Sequence, residues 1–232
     1  MSHEHTHEAD LDRVEFTQEY WDDRYSHSGE HHPRGGRPHH LWSGQPNAAL
    51  VEQVSDLPPG EALDAGCGEG GDAIWLAGRG WTVTAVDVSP VALARAAQHA
   101  ADTGADVAAR ITWEQRDLFA WGPEADRYDL ATASFLHFPG SALDALVRRM
   151  AASVRPGGTL LVIGHHPDDL HAGVGRTGHP GMFPADGQLA ALLAAEQWDV
   201  QVDASFPRLA TNPADGHEAT IHDTVLRAIR RH

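Results

Sequence analysis

Apolar and polar residues follow two alternating patterns through the middle of the chain, from Ala48 to about Gly164. Short runs rich in Val, Thr, Leu and Ala, bounded by Gly or Pro, predict buried strands. Between these runs, apolar residues recur every three or four positions, which predicts amphipathic helices. Strands that alternate with helices through short connections predict an α/β fold with a parallel sheet covered by helices on both faces.

The predicted elements end at helix caps and chain breakers. The helix over residues 90–104, for example, has Pro90 in its first turn and Gly104 at its end. The predicted helices cover residues 48–57, 72–80, 90–104 and 141–156, and the predicted strands cover residues 61–66, 81–89, 109–118, 128–136 and 158–166. Beyond them we expect one short Ala/Leu-rich helix. Two adjacent strands, WDVQVDASFPRLA and ATIHDTVLRAIRR, should form a hairpin at one sheet edge.

Three segments organise the chain. Residues 1–12 are a polar tail rich in His and Glu, which we expect to be disordered. Residues 13–47 contain one aromatic, helix-like patch, FTQEYWDDRY, and a His-rich insert. Residues 48–232 are predicted to form a single domain, because 232 residues suffice for one sizeable core but are few for two.

Composition narrows the range of partners. The formal net charge is −16, with 17 basic residues against 33 acidic ones, which argues against a nucleic-acid partner. No stretch of about 18 apolar residues predicts a membrane span, and the N-terminus lacks the basic and apolar regions of a secretory signal. Cys67 is the single cysteine, so no internal disulfide can form. We expect a soluble, cytoplasmic protein that acts on a small molecule; its oligomeric state stays open.

The strongest local signal is ALDAGCGEGGDAIWLA at residues 62–77, where a strand runs through glycines into a helix. Such glycines let the backbone approach a ligand at a helix N-terminus. Gly66, Gly68 and Gly71 satisfy the GxGxxG pattern of dinucleotide-binding proteins, whereas Gly66, Gly68 and Gly70 satisfy the GxGxG pattern of methyltransferases. Glycine spacing alone leaves both ligand classes open, and also an ordinary glycine-rich turn.

Two carboxylates favour one of these ligand classes. Asp64 lies two residues before the first glycine, where it would repel a pyrophosphate but suits a ligand bearing an amine and a sulfonium. Asp87 ends the next predicted strand, where a carboxylate can accept both ribose hydroxyls. Asp87 could alternatively compete for the helix cap beside Ser89 and Pro90. The pair makes a sulfonium ligand the better prediction than NAD.

Five successive segments resemble the motifs of class I S-adenosylmethionine-dependent methyltransferases. They are ALDAGCGEG, AVDVS, RDL, YDLATASF and VRPGGTLLVI, in the family's order and at suitable spacing. The resemblance implies a Rossmann-like, seven-stranded sheet in the order 3-2-1-4-5-7-6, with the seventh strand antiparallel. It also implies that S-adenosyl-L-methionine is the cofactor and that its methyl group passes to a small-molecule acceptor.

The resemblance further implies which residues contact the cofactor. Asp64, Gly66 and Gly68 would surround its methionine and ribose, while Cys67 fills a position that needs only a small residue. Asp87 would accept the ribose hydroxyls. The other implied contacts are Val88 beside the adenine, Asp117 and Leu118 at the adenine edge and face, and Ser134, Phe135 and His137 where the methyl group is presented.

The N-terminal segments YWDDRY and LWSGQPN are similar to the thiopurine methyltransferase and tellurite-resistance (TehB-like) branch of the family. That similarity implies an N-terminal lid over the cofactor and a soft acceptor such as a thiol or a chalcogen oxyanion. The chain departs from the branch in its insert SHSGEHHPRGGRPHH, whose histidines the pattern lacks. Trp21 and Trp42 are candidates to cap the sulfonium, where a cation–π contact is worth about 0.5–2 kcal/mol. They could equally anchor the N-terminal helix to the core.

Three histidines follow predicted strands at the end of the sheet where α/β proteins place their sites: His137 after the fourth, and His165 and His166 after the fifth. One of them could deprotonate an acceptor, since imidazole titrates near neutral pH, or all three could line the pocket wall.

Four further histidines flank a Gly-rich link in the insert and could converge on a zinc-like ion. Adjacent His-His pairs rarely offer both rings to one metal, and no Cys supports them, so we predict no metal site. They are His31, His32, His39 and His40. The alternatives are an O- or N-methyltransferase assisted by a metal in this segment, an NAD-dependent oxidoreductase, and a non-enzymatic cofactor- or metal-binding module.

Overall fold

The computed structural model describes residues 16–27, 41–136, 138, 140–172, 180–211 and 216–232. The tail predicted over residues 1–12 and the four candidate metal ligands His31, His32, His39 and His40 therefore lie outside the described residues, and so does His137. The three segment boundaries predicted from the sequence stay predictions.

Six α-helices and seven strands lie within the described residues. The helices are α1 Gln18–His27, α2 Ala48–Val54, α3 Gly71–Gly78, α4 Pro90–Thr103, α5 Ala105–Ala108 and α6 Gly140–Ser153. The strands are β1 Glu61–Ala65, β2 Thr82–Asp87, β3 Ile111–Gln115, β4 Tyr128–Ser134, β5 Val154–His165, β6 Trp198–Thr211 and β7 Glu218–Arg230. None of the described helices is long and apolar enough to cross a membrane.

The strands form one sheet in the order β3-β2-β1-β4-β5-β7-β6. β1 pairs with β2, β2 with β3, and β4 with β5 in parallel, whereas β7 runs antiparallel to both β5 and β6. This confirms the predicted strand order, the antiparallel seventh strand and the hairpin at the sheet edge.

The described residues fall into two compact units. The first comprises those up to residue 51 together with residues 57–121, and the second comprises residues 52–56 and 122–232. In the first unit β1 and β2 are buried along almost their whole length. Helix α4 begins as predicted: Pro90 occupies its first turn and Ser89 Oγ accepts a hydrogen bond from Ala92 N–H at 3.1 Å.

In the second unit, β4 and β5 form the buried centre and helix α6 packs its apolar face beside them. Strand β6 lies at the edge of the sheet, and most of its residues are exposed or half-buried. The residues that α6 buries are Leu143, Leu146, Val147, Met150, Ala151 and Ser153.

Three elements differ from the sequence prediction. β5 begins at Val154 rather than Gly158, because Val154 already pairs with Tyr128. The RPGG segment that follows shifts the register, and regular pairing resumes with Thr159 opposite Leu130. The expected Ala/Leu-rich helix is only a 3-10 turn, Ala190–Leu192. Helix α5 was not predicted, since four residues are too few to display a helical period.

Candidate functional site

The loop between β1 and α3 has the backbone conformation that glycine favours. Gly66, Gly68 and Gly70 have φ angles of 73°, 52° and 83°. The N–H groups of Gly66 and Cys67 both donate to Val86 O, at 2.8 and 3.0 Å, which ties the loop to the end of β2. The loop therefore lies at the carboxyl end of two parallel strands, where open α/β sheets bind ligands.

Asp64 is a buried carboxylate at the start of this loop, with 2% of its surface exposed. It accepts a hydrogen bond from Ala73 N–H in the first turn of α3. Its Oδ2 atom has no hydrogen-bond partner among the described residues. Desolvation, and then the nearby Asp72 and Asp87 carboxylates, raise the pKa of Asp64 well above its usual range. A cationic group placed against Oδ2 would relieve both the missing hydrogen bond and the unfavourable charge.

Asp87 is the second buried carboxylate, at the last position of β2. Its Oδ2 accepts from Gly68 N–H and its Oδ1 from Ser89 N–H, both at 2.9 Å. Burial raises the pKa of Asp87, and the hydrogen bonds from Ser89, Gly68 and Val88 oppose that rise. The carboxylate thus joins the glycine loop to the N-terminus of α4, and it also bonds at the helix cap, as the alternative sequence interpretation allowed.

Cys67 lies between the two carboxylates. Desolvation, followed by the charges of Asp87 and Asp64, raises the pKa of its thiol well above the usual range. A thiol kept protonated in this way is a poor nucleophile, which supports the interpretation of Cys67 as a packing residue.

An N-terminal cover lies directly on the glycine loop; it consists of helix α1 and residues 41–47. A Cβ atom on Gly68 would lie 2.9 Å from Tyr25 Oη and 3.7 Å from Trp42 Cδ1, so both aromatic rings occupy the space over this glycine. Trp42 Nε1–H donates to Tyr25 Oη at 3.1 Å. Farther along, Asn47 N–H donates to Asp72 Oδ1 at 2.6 Å.

The two predicted capping tryptophans have different surroundings. Trp21 packs among the aromatic rings of α1, with ring centroids 5.3 Å from Tyr20 and 6.1 Å from Tyr25. Trp42 is 51% exposed beside Gly68. The position of Trp42 suits a capping residue, whereas that of Trp21 suits an anchor of the helix; both roles stay predictions.

Glu69 fastens the N-terminal cover and was not singled out from the sequence. Its Oε2 accepts from Leu41 N–H at 2.9 Å and Trp42 N–H at 3.2 Å, while Arg95 Nη1 of α4 lies 3.2 Å from its Oε1. The Glu69 side chain is buried, so its charge is satisfied by these three groups rather than by water.

Replacing Glu69 with glutamine is expected to loosen the N-terminal cover. The amide keeps the shape but loses the negative charge, and it places an NH2 donor where one of the two carboxylate oxygens now accepts. Hydrogen bonds to a charged group are worth about 1.5–3 kcal/mol each. We expect proteolysis within residues 41–47 to become at least several-fold faster than in the unmodified protein, measured by mass spectrometry of timed digests. The exposed Glu52→Gln variant is the control. Equal cleavage rates for Glu69→Gln and Glu52→Gln would contradict this role.

The predicted adenine contacts lie around the ends of β2 and β3. Val88 is half-buried, and its carbonyl accepts from Gln115 Nε2 at 3.2 Å. Asp117 is exposed, and its Oδ1 accepts from Phe119 N–H at 2.9 Å, so the side chain shapes its own turn. Leu118 is buried in the same turn. These residues therefore lie at the carboxyl ends of β2 and β3, the same end of the sheet as Asp87.

Ser134 is the last residue of β4 in the second unit, and Phe135, which follows it, lies next to His165. Phe135 has a positive φ of 55°, which is uncommon outside glycine, and its ring stacks on His165 with centroids 4.2 Å apart. The ring of Phe183 lies edge-on to that of His165, with centroids 5.9 Å apart. His165 is buried, and its Nδ1 lies 3.9 Å from Asp223 Oδ1.

His166 has a different environment from His165. It precedes the 3-10 helix Pro167–His171, and its Nδ1 accepts a hydrogen bond from Asp168 N–H at 3.3 Å. Within the part of the chain that the structure describes, no group of three or more His, Cys, Asp or Glu side chains could hold a metal ion.

Comparison with known proteins identifies the central segment. Residues 62–158 match the family described as "Methyltransferase domain". This segment is therefore similar to a methyltransferase domain, the class that the sequence motifs resemble. The match includes the glycine loop, both buried carboxylates and the ends of β4 and α6.

Curated relatives match about half of the chain. "Hemagglutinin 1" of Eikenella corrodens is 32% identical over 50% of this chain and 38% of its own length. Trans-aconitate 2-methyltransferase of Rhizobium meliloti is 33% identical over 54% of this chain and 46% of its own. "Probable thiol methyltransferase 2" of Arabidopsis thaliana is 28% identical over 60% and 61%. The chain therefore spans less than half the length of the first two relatives.

Solved structures share the fold of the methyltransferase domain. A structure concerned with conversion of a disulfide bond into a thioacetal group during echinomycin biosynthesis has a TM-score of 0.68 and 24% identity, covering 92% of this chain and 91% of the other. TehB from Haemophilus influenzae has a TM-score of 0.63 and 16% identity over 93% and 67%. The DhpI–SAH complex has a TM-score of 0.59 and 20% identity over 94% and 97%.

The residues at the glycine loop fit S-adenosylmethionine, the cofactor of this class. The buried Oδ2 of Asp64 offers an acceptor to an ammonium group. A cradle is formed by Gly68 with Tyr25 and Trp42, and a larger residue at position 68 would disrupt it. A pyrophosphate beside two buried carboxylates would add negative charge, so the site disfavours NAD.

Proposed function

We propose that the chain transfers the methyl group of S-adenosylmethionine to a soft small-molecule nucleophile, a thiol or a chalcogen oxyanion. The observation that carries the donor half is the pair of buried carboxylates, Asp64 and Asp87, beside a glycine loop in which Tyr25 leaves no room for a side chain at Gly68.

On the donor side, the protein binds and orients. The cofactor supplies an electrophilic methyl group on a sulfonium. Asp64 Oδ2 would accept a hydrogen bond from the ammonium group of the methionine part. Asp87 would accept hydrogen bonds from the ribose hydroxyls in place of the one that Gly68 N–H now donates to its Oδ2. Tyr25 and Trp42 would exclude water from the loop, since both cover Gly68.

Within the second unit, the aromatic cluster of Phe135, His165 and Phe183 has the chemistry that suits a soft nucleophile. Sulfur and its heavier analogues are polarisable and pack favourably against aromatic rings. His165 is itself buried, stacked on Phe135 and edge-on to Phe183. Transfer then depends mainly on holding the nucleophile in line with the methyl group, at roughly 3–3.5 Å.

The names of the relatives support sulfur or oxygen as the acceptor atom. One is named a probable thiol methyltransferase, and one solved neighbour concerns the conversion of a disulfide bond to a thioacetal. Others are named for trans-aconitate and for a 1-hydroxyquinolone, which makes an oxygen acceptor the second candidate.

The test is release of S-adenosylhomocysteine from purified protein with thiols, selenite, tellurite, catechols, carboxylic acids and small amines as acceptors, each with and without a chelator. We expect turnover on a thiol or chalcogen oxyanion that persists with chelator and is lost in Asp64→Ala. Turnover confined to oxygen acceptors would support the second candidate instead, and turnover confined to amines would overturn both candidates. Cofactor binding with no turnover on any acceptor would overturn the enzymatic proposal.

A further inference from the structure

Three neighbouring strands of the second unit direct side chains to one face of the sheet at the carboxyl end of β5. His165 of β5 lies opposite Asp223 of β7, and Asp223 lies opposite Phe206 of β6. Residues opposite each other on paired strands share a face, and so do residues two apart along one strand, which adds Arg208. These four side chains, which we call the β7 cluster, therefore lie where α/β sheets bind ligands.

Asp223 is the buried centre of the β7 cluster. Only 7% of its surface is exposed, although it carries a carboxylate. Arg208 Nε–H donates to its Oδ2 at 2.7 Å, whereas its Oδ1 has no hydrogen-bond partner among the described residues. A buried acceptor without a donor is unfavourable, so a bound molecule that donates to Oδ1 would be stabilised there.

His165 defines the space in front of Asp223 Oδ1. Its Nδ1 lies 3.9 Å from that oxygen, which is longer than the roughly 3.2 Å limit of an ordinary hydrogen bond. One oxygen or sulfur atom placed between the two groups can contact both of them. A hydroxyl or thiol suits this place, because it donates a proton to the carboxylate and keeps a lone pair for the imidazole.

Aromatic rings surround this pair of polar groups. The ring of Phe135 stacks on His165, with centroids 4.2 Å apart, and Phe135 has a φ of 55°. Bulky residues in this backbone region are strained and occur preferentially at ligand sites. On the edge strand, Phe206 is 43% exposed directly opposite Asp223, and the side chain of Arg208 is 41% exposed. Two exposed side chains, which rearrange readily, therefore lie between the carboxylate and solvent.

We infer that the β7 cluster binds a small neutral alcohol or thiol with an apolar or aromatic body. The hydroxyl or thiol donates to Asp223 Oδ1 beside His165, and the body packs on Phe206. Arg208 already balances the charge of Asp223, so a neutral donor satisfies Oδ1 without adding an unpaired charge. The inference goes beyond the proposed function, because all these residues belong to the second unit and the methyl donor takes no part in the binding.

The experiment titrates the purified protein with two probes that share a body and differ in the donor, benzyl alcohol and benzyl methyl ether. We expect the alcohol to bind at least ten-fold more tightly, because the ether has no proton to donate to Asp223 Oδ1. A hydrogen bond to a charged group corresponds to about 10- to 150-fold in affinity. Benzyl mercaptan should fall between the two, since a thiol is a weaker donor. NMR of the phenylalanine rings measures these affinities, and nuclear Overhauser contacts should join the benzyl ring to Phe206.

Two variants separate the donor contact from the packing of the body. In Asp223→Asn the amide oxygen stays with Arg208 and the NH2 group faces the ligand, so the alcohol should bind at least ten-fold more weakly and the ether within two-fold of its original affinity. Phe206→Leu should weaken both probes by a similar factor. Asp199→Asn, at an exposed position of the same strand as Phe206, is the control and should change neither affinity.

The comparison of alcohol and ether in the unmodified protein decides the inference even where a variant fails to fold. Equal affinity for the two probes would overturn the donor contact with Asp223. Alcohol binding that survives both Asp223→Asn and Phe206→Leu would place the probe elsewhere and overturn the site. Absence of saturable alcohol binding would mean that an internal water alone satisfies Oδ1, and it would overturn the site while leaving the methyl-transfer proposal untouched.

Discussion

Asp64→Asn is expected to weaken S-adenosylmethionine binding by about 10- to 150-fold, which corresponds to the roughly 1.5–3 kcal/mol of a charged hydrogen bond. The asparagine can still accept the hydrogen bond from Ala73 N–H, so the loop should keep its conformation. It loses the negative charge that Oδ2, without a partner among the described residues, offers to a cationic ligand. Affinity and charge therefore change together while the shape of the site is preserved.

The same substitution should raise the free energy of unfolding of the cofactor-free protein at neutral pH. Burial raises the folded-state pKa of Asp64 above its unfolded value of about 3.9. A carboxyl group with a raised pKa favours the folded state at low pH, and this contribution is lost as the pH rises through the folded-state pKa. Removing the group should therefore stabilise the protein more at pH 8 than at pH 5.

Calorimetric titration with the cofactor and thermal unfolding at both pH values test this pair of effects. Asp106→Asn is the matched control, because Asp106 is exposed and belongs to α5 rather than to the glycine loop. We expect the control to leave both affinity and stability close to those of the unmodified protein. A less stable Asp64→Asn protein with unchanged cofactor affinity would show that Asp64 has a structural role only.

The periodic part of the fold was predictable because its signals are local. Strand β2 is a run of Thr, Val and Ala, and helix α4 carries its own cap in Ser89 and Pro90. The order of the strands is a long-range property that periodicity does not contain. It followed from the resemblance to a methyltransferase, and the structure confirms it.

The contacts that complete the candidate sites were not predictable in the same way. Glu69 binds the main chain of Leu41, 28 residues earlier, and Asp223 binds Arg208, 15 residues earlier. No local pattern marks such partners, since an acidic residue is more often solvated than buried. Tyr25 was visible only as part of a motif, and its place over Gly68 depends on how α1 lies on the loop.

The adjacent histidines His165 and His166 show how alternation along a strand divides a sequence pair. From the sequence they were two equivalent candidates after the fifth strand. In the structure His165 stacks on Phe135, whereas His166 turns towards His222. Neighbouring residues at a strand end point to opposite faces, so the two belong to different clusters. His165 lies with the buried carboxylate Asp223, whereas His166 lies with His222 and Asp169.

Gly70→Ala is expected to lower the free energy of unfolding by about 2–5 kcal/mol. Gly70 has a φ of 83°, and a left-handed conformation costs an alanine about 1–2 kcal/mol. Its Cβ would also lie 2.7 Å from Trp113 Cη2 and 3.0 Å from the Cβ of Ala96, and overpacking of this kind costs about 1–3 kcal/mol. Because Trp113 belongs to β3 and Ala96 to α4, the strain should displace the loop that carries Gly68.

Gly78→Ala provides a control with the opposite sign. Gly78 ends α3, and a Cβ there would meet nothing within 4 Å, so alanine should stabilise the helix by about 0.5–1 kcal/mol. Urea unfolding of both variants measures the difference, and cofactor titration should show weaker binding only for Gly70→Ala. In the double variant Gly70→Ala/Trp113→Phe, the smaller ring removes the contact with Trp113, so part of the overpacking loss relative to Trp113→Phe alone should be recovered. The contact with Ala96 and the backbone strain persist. If Gly70→Ala were as stable as Gly78→Ala, the loop would tolerate side chains, and a tightly fitted glycine cradle could not explain cofactor binding.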